Sequence, residues 1–180
     1  LSCCTSVTCS PPAPAVGRRI PRWSSATPVS TSPGAWTARH DGPECDGEGH
    51  PKIRPLALCD GYDVSPRDPD PRGMTVFDGR GEPAGRVRDL WIDVPECQFR
   101  YLEIEVPLQG GGTRLVLCPM VFASVKRDAV HVPALMAAHF PAVPAIKGAD
   151  TITLHEEERI TAYYGGGTLY ADPRRVEAVL

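Results

Sequence analysis

Alternation is the clearest signal in this chain. In Arg100–Val106, the residues Leu102, Ile104 and Val106 fall on one side of an extended backbone, and Glu103 and Glu105 fall on the other. That period of two predicts a β-strand with one dry and one wet face. Met74–Phe77 leads into the turn sequence Asp78–Gly81, and Gly85–Ile92 follows as a second strand. Gln109–Gly112 reads as a loop and Thr113–Leu117 as a further strand. Phe122–Lys126, a turn at Arg127-Asp128, and Ala129–Val132 together predict a hairpin. About five or six short strands in close succession predict a mainly β fold: a small, strongly bent antiparallel sheet or barrel that closes its own edges.

The pattern changes at Asp150. Thr153-Leu-His-Glu156 is a T-x-x-E capping box, and Glu156, Glu157 and Glu158 fall in the first turn, where the helix dipole favours them. A helix from about Leu154 through Ile160 toward Tyr164 is predicted. Gly165-Gly166-Gly167 then either ends it or lets another backbone approach closely. Each glycine inside a helix costs about 1 kcal/mol relative to alanine, so the run needs a reason. A tight contact with a partner chain is the preferred one.

Composition narrows the class. The 180 residues include 20 Pro and 17 Gly, a load that breaks long helices and excludes a helical bundle. Hydrophobic residues make up 42%, enough for a core, and the net charge of −3 removes nucleic acid as a default partner. The chain divides into an extended Pro-rich arm over 1–55, a β domain over 56–149, and a C-terminal helix and tail over 150–180. The arm carries Arg18, Arg19 and Arg22 with no acid in its first 35 residues; it is either a solvated tail or a segment lying near anionic lipid headgroups. The longest apolar run, Leu115–Val125, contains Pro119 and is far shorter than the roughly 20 residues a bilayer crossing needs. Seven scattered cysteines without a C-x-x-C pair read as reduced thiols, with a disulfide most plausible among Cys3, Cys4 and Cys9.

No nucleophile–base set, P-loop or dinucleotide fingerprint is present. His131 and His139 read as ordinary surface or half-buried residues. Two acidic clusters remain. Asp46-Gly47-Glu48-Gly49-His50 puts three polar side chains at alternate positions with glycines between, a set suited to collecting protons and to a loosely held surface divalent cation. On spacing alone it is equally a polar turn. Asp93 and Glu96, around Pro95, sit at a strand end just before Arg100.

These clusters and their surroundings resemble the H subunit of the purple-bacterial photosynthetic reaction centre. The resemblance is carried by DGEGHPKIRP at 46–55, DPRGMTVFDGRGEPAGRVRDLWIDVPE at 70–96, RYLEIEV at 100–106 and VPAIKGADTITLHEEERITAYYGGGTLYADPRR at 143–175. It runs from about Ser32 to the C-terminus. The resemblance implies a small PRC-barrel-type β-barrel capping the cytoplasmic face of the L and M subunits, on the photosynthetic membrane and peripheral to it. It implies no cofactor bound by this chain; bacteriochlorophyll, bacteriopheophytin, quinone and non-haem iron are expected in the partner subunits. Antenna subunits and lipid headgroups are further expected neighbours. The implied work is non-catalytic: stabilising the secondary quinone site and supplying part of its proton route.

The family's proton entry is written D-G-H-G-H. Asp46 and His50 match it, and Glu48 departs, which puts the family's metal inhibition in doubt while leaving a titrating group in place. The inner acidic pair and its arginine map onto Asp93, Glu96 and Arg100. Family members begin with a transmembrane helix, absent here, so the anchor is expected to be missing from this sequence or to be a separate chain. Two other classes stand beside this reading. One is a free-standing PRC-barrel adaptor, betrayed by a stable soluble monomer; the other is a metal-dependent enzyme centred on Asp46, Glu48 and His50, betrayed by turnover.

Overall fold

The computed structural model describes residues 7–9 and 41–175. The arm arginines Arg18, Arg19 and Arg22, and the N-terminal Cys3 and Cys4, lie outside the described residues. Among the described residues, nine strands precede one α-helix. They are β1 (Val7–Cys9), β2 (Ile53–Pro55), β3 (Tyr62–Val64), β4 (Thr75–Phe77), β5 (Pro83–Asp93), β6 (Gln98–Pro107), β7 (Thr113–Pro119), β8 (Ser124–Val125) and β9 (Ala129–His131). The helix is α1 (Leu154–Tyr170).

Seven strands form the main sheet in the order β7-β6-β5-β4-β9-β8, with β2 pairing to the far end of β5. The outer strands β7 and β8 do not pair with each other, so the ladder is not closed into the barrel expected from the strand spacing. Nor is it wholly antiparallel, because β4 and β9 run parallel, Val76 opposite Val130. The long route from Phe77 to Ala129, through β5 to β8, permits that direction. The predicted final hairpin is shorter than expected. Pro119 has no N–H for the ladder, and Met120–Phe122 turns as a 3-10 segment, leaving only Ser124 and Val125 to pair with β9. Three strands carry no signal in the sequence, β1, β2 and β3; Ile53–Pro55 belongs to the sheet although it closes the proline-rich stretch.

The alternation in β6 is as predicted. Leu102, Ile104 and Val106 are buried, whereas Glu103 and Glu105 are half-exposed. Register places Leu90, Leu102 and Cys118 side by side on β5, β6 and β7. Ile160 and Tyr164 of α1 are fully buried. Phe122 stacks on Tyr164 at 5.6 Å and Phe140 meets it edge-on at 6.5 Å. Each such side chain removed from water contributes roughly 1.5–3 kcal/mol. Burial pushes the Cys118 thiol up to about 12, which leaves it an inert core residue.

The capping box of α1 forms as the sequence predicts. Glu156 N–H donates to Thr153 Oγ1 (3.3 Å), and Thr153 N–H donates back to Glu156 Oε2 (3.0 Å). Glu156 Oε1 also accepts the Lys147 N–H (2.8 Å), so a buried carboxylate is used on both oxygens. The helix does not stop at the glycines. It runs through them to Tyr170, and the close approach is within this chain: a Cβ on Gly167 would meet Ala134 O at 2.7 Å and collide with Leu135. Gly165 and Gly166 face open space.

Candidate functional site

The two acidic clusters are brought to neighbouring strands. β2 lies antiparallel to β5 with Ile53 opposite Asp93, and the Val94 N–H donates to Lys52 O (2.9 Å). The 46–50 loop therefore leads, through Pro51 and Lys52, directly to the Asp93 end of β5. That pairing depends on β2, whose three residues carry little pattern of their own.

The outer loop is built by backbone bonds. Asp46 Oδ1 accepts the N–H groups of Glu48 (2.8 Å) and His50 (2.9 Å), and the Asp46 N–H donates to His50 O. Gly49 sits at φ +88°, a left-handed turn position. The His50 backbone N–H and then burial act in opposite directions on the Asp46 carboxyl, and with the Glu48 N–H the net result lies below its usual range. Asp46 Oδ2 is 3.6 Å and Glu48 Oε2 3.8 Å from His50 Nδ1, and the Glu48 and His50 side chains are exposed. The three expected residues do converge. Among the described residues, however, no group of three or more His, Cys, Asp or Glu is arranged to hold a metal ion. One Asp46 oxygen is already committed to two amides, so the cation reading of Asp46, Glu48 and His50 is not carried forward.

The inner cluster is built by a bulge. The β5–β6 register shifts between Trp91 opposite Tyr101 and Ile92 opposite Phe99, leaving Arg100 as the extra residue. A bulge re-aims its side chain, and Arg100 turns back on the hairpin it belongs to. Its Nε and Nη2 donate to Asp93 Oδ2 at 3.3 and 3.2 Å, and Nη2 also reaches Glu96 Oε2 at 3.3 Å. Asp93 Oδ1 accepts the Glu96 N–H (3.2 Å). Asp93 is buried while the Glu96 side chain is 60% exposed, so the pair divides into a buried anion and a surface one.

Two members were missed by sequence reasoning. Tyr101 donates its hydroxyl to Glu157 Oε2 at 2.7 Å, although it shares a strand face with the half-exposed Glu103. Burial raises the Glu157 carboxyl above its ordinary value, the Tyr101 hydroxyl and Arg100 pull it back, and Glu44 and Asp93 push it up again. Burial, then Glu157, raise the Tyr101 phenol as well. Glu157 therefore belongs electrostatically with the inner cluster, through Arg100 and Asp93, and also senses Glu44. Lys52, bonded to Glu44, stands in the field of Asp93 and Glu96 and holds its proton more tightly for it. The E-E-E run at 156–158 hinted at Glu157 only as a dipole partner; nothing in the sequence places it over Tyr101.

Chemically, the arrangement is a graded series of titratable groups. It runs from an exposed loop to a buried carboxylate. Among the described residues no helix is long and apolar enough to cross a membrane. Residues 66–137 match the family model of the PRC-barrel domain; the match contains Asp93, Glu96, Arg100 and Tyr101 and leaves Asp46, Glu48, His50 and Glu157 outside it. The chain thus carries a PRC-barrel domain spanning β4 to β9.

Proposed function

We propose that this chain is the H subunit of a photosynthetic reaction centre of the purple-bacterial type. In this reading it caps the L and M subunits at the cytoplasmic face of the membrane, performs no catalysis of its own, and delivers protons toward the secondary quinone. The observation that carries the proposal is the β2–β5 pairing. It joins the 46–50 loop to the Asp93–Glu96–Arg100 cluster, the two groups that the family resemblance singles out and that lie far apart in sequence. The PRC-barrel domain is in keeping with it.

Reduction of a quinone to a quinol takes two electrons and two protons. The electrons come from cofactors in the partner subunits; the protons must cross protein. Asp46, held anionic by backbone N–H groups, sets a negative potential at the loop, where His50 and Glu48 meet water. Asp93, Glu96 and Glu157 form the next set, with Arg100 and Tyr101 orienting them. A proton passes between such groups only where each lies near the next or one water away.

An absorption spectrum of the gently solubilised native complex tests the assignment. Bacteriochlorophyll bands co-purifying with the chain are the expected result. A pigment-free monomer that never associates with membranes points instead to a free-standing PRC-barrel adaptor.

A further inference from the structure

Away from the acidic site, an open cleft of about 460 Å³ is lined by Arg67, Asp68, Pro69, Val125, Lys126 and Arg127. Two turns build it. The Asp68 N–H donates to Ser65 O (3.0 Å) on one side, and the Lys126 N–H donates to Ala129 O (2.8 Å), closing the β8–β9 turn, on the other. Buried Val125 and half-buried Pro69 contribute apolar surface between them.

This cleft gathers three cations in one concavity. Several cations elsewhere sit against carboxylates, among them Lys52 on Glu44, Arg72 on Asp70, Arg80 on Asp172 and Lys147 on Asp41. Arg67, Lys126 and Arg127 are exposed and make no ion pair with any described residue. Three cations and one carboxylate, Asp68, line the cleft of a protein whose net charge is −3. Like charges gathered on one cleft repel one another, and a bound anion relieves that repulsion. Two guanidinium forks and an ammonium match the oxygens of a phosphate group.

We propose that this cleft is a binding site for a phosphate-bearing anion, held by Arg67, Lys126 and Arg127, with Pro69 and Val125 against the ligand's non-phosphate part. The ligand is a lipid headgroup or a free phosphate. The site is separate from the proton route and stands whether or not the chain serves a reaction centre.

The test uses the full chain and the variants K126Q/R127Q and R67Q/K126Q/R127Q, all with Arg18, Arg19 and Arg22 of the arm retained. Inorganic phosphate is titrated while amide signals of 65–68 and 126–129 are followed by NMR. Co-sedimentation is measured with vesicles of phosphatidylglycerol in phosphatidylcholine and of phosphatidylcholine alone. Signal shifts with phosphate but no sedimentation assign a free phosphate. Sedimentation only with phosphatidylglycerol, weakened about fivefold for each charge removed, assigns a headgroup. Wild type and triple variant behaving alike in both assays, or wild type showing neither response, overturns the proposal.

Discussion

The 46–50 loop and the Asp93–Tyr101–Glu157 cluster are both acidic, both close to an end of β5, and held in opposite ways. In the loop, half-buried Asp46 is bonded by backbone amides, which lower its carboxyl. In the cluster, Glu157 is bonded by one phenol and surrounded by other acids, and burial raises it. Amides supplied by a tight turn make a permanent anion; burial beside like charges makes a group that can take up a proton. The same side-chain chemistry is therefore tuned to hold a charge in one place and to take up a proton in the other. Backbone amides decide the first behaviour and burial the second.

The largest effect on this contrast comes from removing the inner cation. Arg100→Ala leaves buried Asp93 without its guanidinium, and since Arg100 is itself partly exposed the cost is about 2–3 kcal/mol, read as a lower urea midpoint. Next comes the helix that carries Glu157. Gly167→Ala forces a methyl against Ala134 O and Leu135 and costs about 1–2 kcal/mol, whereas Gly166→Ala, in open space, stabilises by up to about 1 kcal/mol. If both changes stabilise, the packing of α1 does not set the inner site. Tyr101→Phe is smaller again, about 1 kcal/mol, and moves Glu157 further up because the hydroxyl was lowering it. Carbon-13 NMR of the Glu157 carboxyl reads that shift directly.

The two regions also give pH slopes of opposite sign. The Glu157 carboxyl is higher in the folded chain than its ordinary 4.5, so between that value and its folded value the native state binds the extra proton. Its contribution to stability therefore falls as pH rises through that window, and Glu157→Gln flattens the slope. Asp46 is depressed below its ordinary 3.8, so its contribution is complete above that value and is lost as pH falls through the lower one. Thermal melts of the wild type, Glu157→Gln and Asp46→Asn from pH 3 to 8 separate the two. Asp46→Asn has the smallest global effect: its melt at pH 7 stays close to wild type, while exchange of the Glu48 and His50 amides quickens.

Much of this was legible in the sequence where one physical rule acts alone. Period two in Arg100–Val106 fixed which side chains of β6 are buried, and T-x-x-E placed the start of α1 at Leu154. The rule failed where long-range contacts decide. β2 is a strand only because β5 offers it an edge, and Ile53-Arg54-Pro55 has no alternation long enough to announce that. The glycine run announced a close approach without saying to what: Gly167 is crowded by Ala134 and Leu135 of the same chain, while Gly165 and Gly166 face open space. At the site, Asp46, Glu48, His50, Asp93, Glu96 and Arg100 were all named from the sequence. Tyr101 and Glu157 were not, because their bond joins a strand to a helix 56 positions away. Nor does spacing show that Asp93 is buried while Glu96, three residues on, is not.

Proton delivery through this subunit is the central claim, and flash-induced quinone reduction tests it most directly. In the assembled complex, the second electron transfer is timed from pH 6 to 9 for wild type, Glu96→Gln and Glu48→Ala. Glu96→Gln keeps shape and hydrogen bonding and loses only the titrating group. The account predicts a clear slowing in Glu96→Gln and a smaller one in Glu48→Ala, where Asp46 and His50 still serve the loop. Wild-type rates in both variants at every pH would contradict it, because protons would then reach the quinone by a route that avoids this chain.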